Sequence, residues 1–329
     1  MKKLINSVET LLDESLRGFA LAHADIVRFS PDPRYLARLA SRKPGKVALI
    51  SGGGSGHEPL HSGFVGLGML DAACPGQIFT SPTPDQMLAA AMDMENGGGI
   101  LFVVKNYAGD MMNFEIAGEM LDFPNASLLV HDDVSIPEHQ GMGRRGVAGT
   151  TIVEKIVGAA AEAGLGLDDC KALGERVVRA TASMGVALTS CTVPALGKPT
   201  FDIAENEIEL GVGIHGEKGR ERIGLLNASE IVERLAQTID EELKPAKGQP
   251  VLLHVNGFGA TPLIELYLVY NLARQYWDSR GVVVTRSLVG NFTTSLDMAG
   301  ASITLTLLDD ELTRHWDAPV HTAALRWGC

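Results

Sequence analysis

The sequence runs to 329 residues, enough for two compact domains with a substantial core. Its 28 basic and 40 acidic side chains give a net charge of −12, which argues against nucleic-acid binding, because a phosphate backbone demands a basic footprint. With 45% hydrophobic and 21% charged residues the composition is that of a globular α/β enzyme, and no apolar run approaches the roughly 20 residues of a membrane span.

The chain opens Met1-Lys2-Lys3, followed by Leu4, Ile5, Val8, Leu11, Leu12, Leu16 and Phe19. Spacings of three and four, with Glu9, Asp13, Glu14 and Arg17 between them, predict an amphipathic helix rather than a secretory leader. Short apolar runs at 46–50, 100–104 and 127–130 predict buried strands, with helices over 85–94 and 114–121 between them. An Ala-rich helix is expected over 151–163. A second set follows, with strands over 251–255, 282–284 and 303–305 and a helix from 262 to about 276. Such alternation predicts an α/β fold of two domains, each a mixed sheet flanked by helices. Gly56-His57-Glu58-Pro59-Leu60 is echoed by Gly259-Ala260-Thr261-Pro262-Leu263, and Tyr107-Ala108-Gly109-Asp110 by Leu288-Val289-Gly290-Asn291, so a duplicated layout is one expectation. The four cysteines, Cys74, Cys170, Cys191 and Cys329, show neither paired spacing nor CxxC, and the expected compartment is a reducing cytoplasm.

The most distinctive local feature is Ser51-Gly52-Gly53-Gly54-Ser55-Gly56-His57, directly after the first strand. Consecutive glycines let backbone N–H groups approach a ligand closely. Dinucleotide-binding, P-loop and nucleophile-elbow patterns all fail to align with it. Glycine richness alone fits a tight strand-to-helix turn, but such a turn needs no imidazole at its tip, and loop polar groups on a rigid scaffold are often functional. His57-Glu58-Pro59-Leu60-His61 satisfies H-E-x-x-H by letters. That zinc motif requires both histidines on one face of a regular helix, and Pro59 after a glycine run opposes one, so no metal is expected.

Lys105 and Asp110 follow the second strand, where an α/β sheet gathers its ligands. Two readings stay open there: convergence with His57 on one crevice, or a solvated strand end and a helix cap. Gly211-Val212-Gly213-Ile214-His215-Gly216-Glu217 sets a histidine in bare backbone, with Glu217 placed to orient its ring. His23, His131, His139 and His315 carry no such context and read as structural or surface groups.

Together these segments, with Ile78-Phe79-Thr80-Ser81-Pro82-Thr83-Pro84 and Trp316-Asp317-Ala318-Pro319-Val320-His321-Thr322, closely resemble the substrate-binding subunit of the dihydroxyacetone kinase family. The resemblance covers nearly the whole chain in order. It implies that His215 adds to the ketone carbon of dihydroxyacetone as a hemiaminal, and that His57 and Asp110 form the acid–base pair. Gly54, Ser55, Gly56 and Lys105 carry over as substrate contacts beside His57 and Asp110. It further implies a homodimer with a first domain over 1–184, completed by about 296–329, and a second over 185–295. Family members in one polypeptide carry a helical nucleotide-binding domain after this region, and this sequence stops two residues after Trp327. The expectation is therefore a chain that binds no cofactor itself and works with a separate kinase subunit. That partner would hold ATP, or ADP with Mg recharged by a phosphotransferase-system donor. Two further roles implied by the family are a dihydroxyacetone-sensing coactivator and a kinase for a related ketose such as erythrulose.

Overall fold

The computed structural model describes residues 2–40, 42–138 and 141–329; Met1 and His139, both used in the sequence reading, lie outside them. Helix α1 (Leu11–Ala22) leads into a hairpin of β1 (Val27–Pro31) and β2 (Arg34–Arg38). Then come β3 (Ala48–Ser55), β4 (Gly66–Leu67), β5 (Ala72–Ile78), α2 (Pro84–Met94), β6 (Ile100–Lys105), α3 (Ala108–Glu119) and β7 (Asn125–Val130). Helices α4 (Gly149–Glu162) and α5 (Leu167–Arg179) precede β8 (Thr181–Ala187), β9 (Glu207–Leu210), β10 (Glu221–Gly224) and α6 (Ala228–Leu243). Next are β11 (Pro250–Gly257), α7 (Leu263–Ser279), β12 (Val283–Gly290) and β13 (Gly300–Leu307), and the chain closes with α8 (Asp310–Asp317), β14 (Val320–Thr322) and β15 (Arg326–Trp327).

Two compact units result. The first takes the chain up to Val130, then Thr151–Arg176 and Arg314–Cys329; the second takes His131–Thr150 and Val177–Thr313. These limits differ from those expected at 184, 185 and about 296, and strand pairing gives the reason. β8 and β13 are antiparallel neighbours from Thr181↔Thr306 to Ala187↔Gly300, so both fall in the second unit and the return begins only at Arg314.

The first unit is built on a six-stranded sheet in the order β1-β2-β5-β3-β6-β7. β5, β3, β6 and β7 are mutually parallel, and the β1-β2 hairpin joins antiparallel. All six residues of β6, Ile-Leu-Phe-Val-Val-Lys, are buried, as a central parallel strand covered on both faces requires. Helix α2 begins cleanly because Pro84 occupies its first turn and Gln86 Oε1 accepts the Thr83 N–H at 3.0 Å. Phe102 and Phe114 meet edge to face in the core between β6 and α3.

The second unit carries a sheet ordered β10-β9-β8-β13-β11-β12, antiparallel except for β11–β12. Its core gathers around the fully buried Trp277 of α7. A reciprocal cap starts α6, with Asn227 Oδ1 accepting from Glu230 N–H and Glu230 Oε2 from Asn227 N–H, both at 3.1 Å. Both sheets are mixed and flanked by helices, as expected. Strand direction follows the echoed segments in part: β3–β6 and β11–β12 are each parallel pairs, whereas the other neighbour is parallel for β3 (β5) and antiparallel for β11 (β13).

The glycine run departs from the expected turn. β3 continues through Gly52, Gly53 and Gly54 to Ser55, paired with β5 at Gly52↔Cys74, Gly53↔Pro75 and Gly54↔Gly76. No α-helix follows it; turns lead to a short 3₁₀ segment at Ser62–Phe64. No described helix is long and apolar enough to cross a membrane.

Candidate functional site

Two clusters contain the residues singled out by the sequence, one in each unit. In the first unit β3 and β6 are parallel neighbours, so their carboxyl ends open on the same edge of the sheet. Lys105 is the last residue of β6, and α3 starts at Ala108, earlier than expected, which brings Asp110 into its first turn. Both are buried, and Lys105 Nζ lies 3.7 Å from Asp110 Oδ2. Ser81 donates its hydroxyl to Asp110 Oδ1. Beyond β3, the buried His57 ring stacks on Phe79 with centroids 5.0 Å apart and planes 15° from parallel. Phe79 holds a left-handed backbone, φ 56°, and its N–H reaches Ser55 O at 2.9 Å. The three glycine-run positions carried over from the family are here as well. Ser55 donates its hydroxyl to Gly76 O at 2.7 Å, Gly54 stays in the ladder, and the Gly56 N–H meets both Glu58 carboxylate oxygens at 3.0 Å.

A second layer lies behind Lys105. Its Nζ is 2.7 Å from His61 Nε2 and donates to Gly52 O at 3.3 Å. His61 Nδ1 is 2.5 Å from Glu154 Oε1 on α4 and 3.0 Å from Ser51 Oγ, which donates to Val103 O. Burial, with the charges of Lys105 and His57, holds the His61 imidazole well below the usual histidine range. Burial pushes the Glu154 carboxyl up to about 8, against the opposing pull of Lys105 and the Ser51 hydroxyl. Gly53 leaves the room this needs, since a Cβ there would collide with Lys105 Nζ and stand 3.4 Å from His61 Nε2. His57 and His61 therefore share no helix, and the H-E-x-x-H letters lack the geometry of a zinc site. Among the described residues, no three His, Cys, Asp or Glu side chains gather closely enough to hold a metal ion.

The second cluster surrounds His215 in the second unit. His215 Nδ1 lies 2.7 Å from Glu217 Oε1, and the His215 N–H donates to Glu217 Oε2 at 2.9 Å. Arg145 braces the segment, donating from Nη2 to Gly211 O at 2.7 Å and to Ser135 Oγ at 3.0 Å, while its Nε holds Asp133 at 2.8 Å. Burial alone would raise the Glu217 carboxyl, but the hydrogen bond and charge of His215 and the charge of Arg145 outweigh it, lowering it to about 2. Glu217 is thus an ionised acceptor, and in the neutral ring of His215 the proton sits on Nδ1 and the lone pair on Nε2. Gly213 is required here because a Cβ would collide with Glu217 and stand 2.5 Å from Arg145 Nη1. His215 remains partly open, with 20% of its side chain exposed.

Sequence reasoning weighed His61 only as a zinc ligand and passed over Glu154, Ser81, Phe79 and Arg145 as site residues. One signal was present. Glu154-Lys155 interrupts Thr151-Ile152-Val153 and Ile156-Val157, and a charged pair inside an apolar helix face is buried with partners or not buried at all.

The Dak1 domain model matches residues 17–324. The chain belongs to that family. It is 46% identical, over the full length of both chains, to the dihydroxyacetone-binding subunit of the PEP-dependent dihydroxyacetone kinase of Escherichia coli. Among solved structures, a dihydroxyacetone kinase operon co-activator superposes with a TM-score of 0.89 at 32% identity, covering 94% of this chain and 97% of its own. The dihydroxyacetone kinase of C. freundii superposes with a TM-score of 0.85 at 32% identity, covering 98% of this chain but 60% of that one. Family relatives are thus named both as kinase subunits and as a co-activator.

Proposed function

We propose that this chain is the dihydroxyacetone-binding subunit of a multi-subunit, phosphotransferase-system-dependent dihydroxyacetone kinase, holding its ketone on His215. The observation that carries the reading is the His215–Glu217 pair, with an ionised carboxylate 2.7 Å from Nδ1 on a partly open ring. In the addition, the Nε2 lone pair forms a bond to the carbonyl carbon. The C=O π pair moves to oxygen, which takes up a proton from solvent. The positive charge left on the ring faces the Glu217 carboxylate. Tethering removes much of the entropic cost of presenting a hydroxyl for transfer, and it excludes polyols such as glycerol, which have no carbonyl.

His57 and Asp110 form the acid–base pair that polarises the terminal hydroxyl as it attacks phosphorus, Asp110 accepting its proton, and Lys105 contacts the substrate. Gly54, Ser55 and Gly56 line the same strand end. The nucleotide belongs to a partner subunit, and the naming of the E. coli relative as PEP-dependent supports a phosphoryl supply through the phosphotransferase system. A homodimer in the cytoplasm completes the proposal. A second reading, a dihydroxyacetone-sensing co-activator, is favoured by the 0.89 superposition on such a protein. The joint presence of His57, Lys105 and Asp110 favours the kinase, since a sensor has less need of an acid–base pair.

Soaking or intact-mass analysis with dihydroxyacetone tests the tether. Continuous density or an adduct at His215 is expected, none with glycerol and none in His215→Ala. An adduct that survives His215→Ala ends the assignment. Reconstitution with a nucleotide-binding partner and its phosphoryl source separates the two readings. Ketone binding without phosphorylation by any such partner selects the sensor.

A further inference from the structure

We propose that His61 and Glu154 are positioning residues: His61, fixed as its Nδ1–H tautomer by Glu154, uses its Nε2 lone pair to aim the Lys105 ammonium at the substrate. This rests on the reading above that Lys105 is a substrate contact.

An ammonium donates and never accepts, so the 2.7 Å contact between Lys105 Nζ and His61 Nε2 requires a lone pair on Nε2. The ring proton must then sit on Nδ1. Two acceptors wait there: Glu154 Oε1 at 2.5 Å, and the hydroxyl oxygen Ser51 Oγ at 3.0 Å. Every bond in the chain therefore points one way, from Lys105 into His61 and from His61 into Glu154.

Placement follows from burial. Lys105, His61 and Glu154 have side chains 1%, 4% and 0% exposed, so no competing water scrambles the arrangement. A lysine stem has four rotatable bonds, and its ammonium needs fixed acceptors to hold one position. Gly52 O and His61 Nε2 supply two of them, and the third proton lies on the side of Asp110 Oδ2, 3.7 Å away. His61 is a neutral acceptor. Unlike a carboxylate at that point, it holds the ammonium without adding a second negative charge to that of Asp110, 3.7 Å away.

Two substitutions at one position separate aim from packing. The glutamine amide places its polar atoms where Nε2 stands, and the asparagine amide places them where Nδ1 stands. Steady-state turnover of the reconstituted kinase on dihydroxyacetone is measured for His61→Gln, His61→Asn and Lys105→Met. His61→Asn should lower kcat/KM by about 10²-fold, the scale of a misplaced catalytic contact. His61→Gln should recover most of that loss, and Lys105→Met should fall at least as far as His61→Asn. Equal losses in both His61 variants, tracking their loss of thermal stability, overturn the proposal. So does a crippled Lys105→Met beside a His61→Asn at the parent rate, with the substrate-contact reading left standing. A Lys105→Met enzyme at the parent rate overturns that reading together with the proposal. Should His61→Asn fail to fold, ¹⁵N spectra of the histidine-labelled parent chain decide. The signal lost in His61→Gln must show Nδ1 protonated and Nε2 bare, and a protonated Nε2 there overturns the idea.

Discussion

His215–Glu217 and His61–Glu154 are the same two side chains at nearly the same separation, 2.7 and 2.5 Å from Nδ1 to Oε1, in opposite electrostatic states. In the first pair Glu217 is partly exposed, Arg145 stands nearby, and the carboxyl is lowered to about 2. In the second, Glu154 has no exposed side-chain surface, and burial carries it to about 8 although Lys105 pulls the other way. Among the described residues its Oε2 has no hydrogen-bond partner, whereas both Glu217 oxygens accept from His215. At neutral pH one carboxylate is therefore ionised and the other mostly protonated. An ionised partner fits the role proposed for His215, whose ring would carry positive charge after adding to a carbonyl. A protonated partner fits a ring that must stay neutral beside an ammonium. Residue type does not distinguish them; solvent and the nearest cation do.

The comparison breaks first at the chemistry it serves. Asp110→Asn keeps the shape and hydrogen-bonding reach of Asp110 but accepts no proton. It should retain ketone binding and lower turnover of the reconstituted kinase by about 10²–10⁴-fold, the scale of general acid–base catalysis. Phosphorylation at the parent rate would remove Asp110 from the reaction. A smaller effect tests the room each pair needs. Gly53→Ala drives a methyl into Lys105 Nζ and Gly213→Ala drives one into Glu217, so each should destabilise by about 1–3 kcal/mol in urea titrations. Their consequences should differ, because Gly213→Ala disturbs the tether and Gly53→Ala the ammonium. Adduct formation on His215 should weaken more in the first, and kcat more in the second. Identical profiles for both would dissolve the distinction between the pairs.

Much of this was legible in the chain. Runs such as residues 100–104 announce central parallel strands, because a strand covered on both faces must be apolar throughout. The position of Lys105 at the end of β6 and of Asp110 just beyond it followed from where that apolar run stops. The glycine run misled, because a strand interior rarely tolerates three glycines. Here Cys74 of β5, the Lys105 side chain and the Phe79–Thr80 backbone fill the space that side chains would take, and only the tertiary pairing shows it. The domain limits differ from those expected for a related reason: β13 pairs with β8 across more than a hundred residues, and no local pattern encodes that partner. Glu154 was hidden in an Ala-rich helix, and its state depends on burial against His61, which periodicity does not report.

The last expected effect concerns the pH dependence of stability, and it bears first on Glu154. In an unfolded chain a glutamate titrates near about 4.3. In the folded chain Glu154 titrates at about 8, because burial disfavours its charge. Between those values the folded state holds one more proton at this site than the unfolded state, so stability from this group falls as pH rises. The contribution is complete below the unfolded value and lost as pH passes through about 8. Glu154→Gln keeps the volume and an oxygen to accept from His61 Nδ1–H, but it does not titrate. All other groups are common to both proteins, so the difference between variant and parent isolates this site. That difference, followed by thermal melts from about pH 5 to pH 9, should move in favour of the variant by about 4 kcal/mol, or about 4–8 °C at about 1–2 °C for each kcal/mol in a chain of this length. Glu217→Gln should behave in the opposite sense and at the acid end. Glu217 is depressed to about 2, so its stabilisation is present above the usual carboxylate range and fades only as pH falls toward that value. A flat difference for Glu154→Gln across the neutral range would mean that Glu154 is ionised in the folded chain throughout. The two carboxylates would then be alike, and the contrast between the pairs would have to rest on exposure alone.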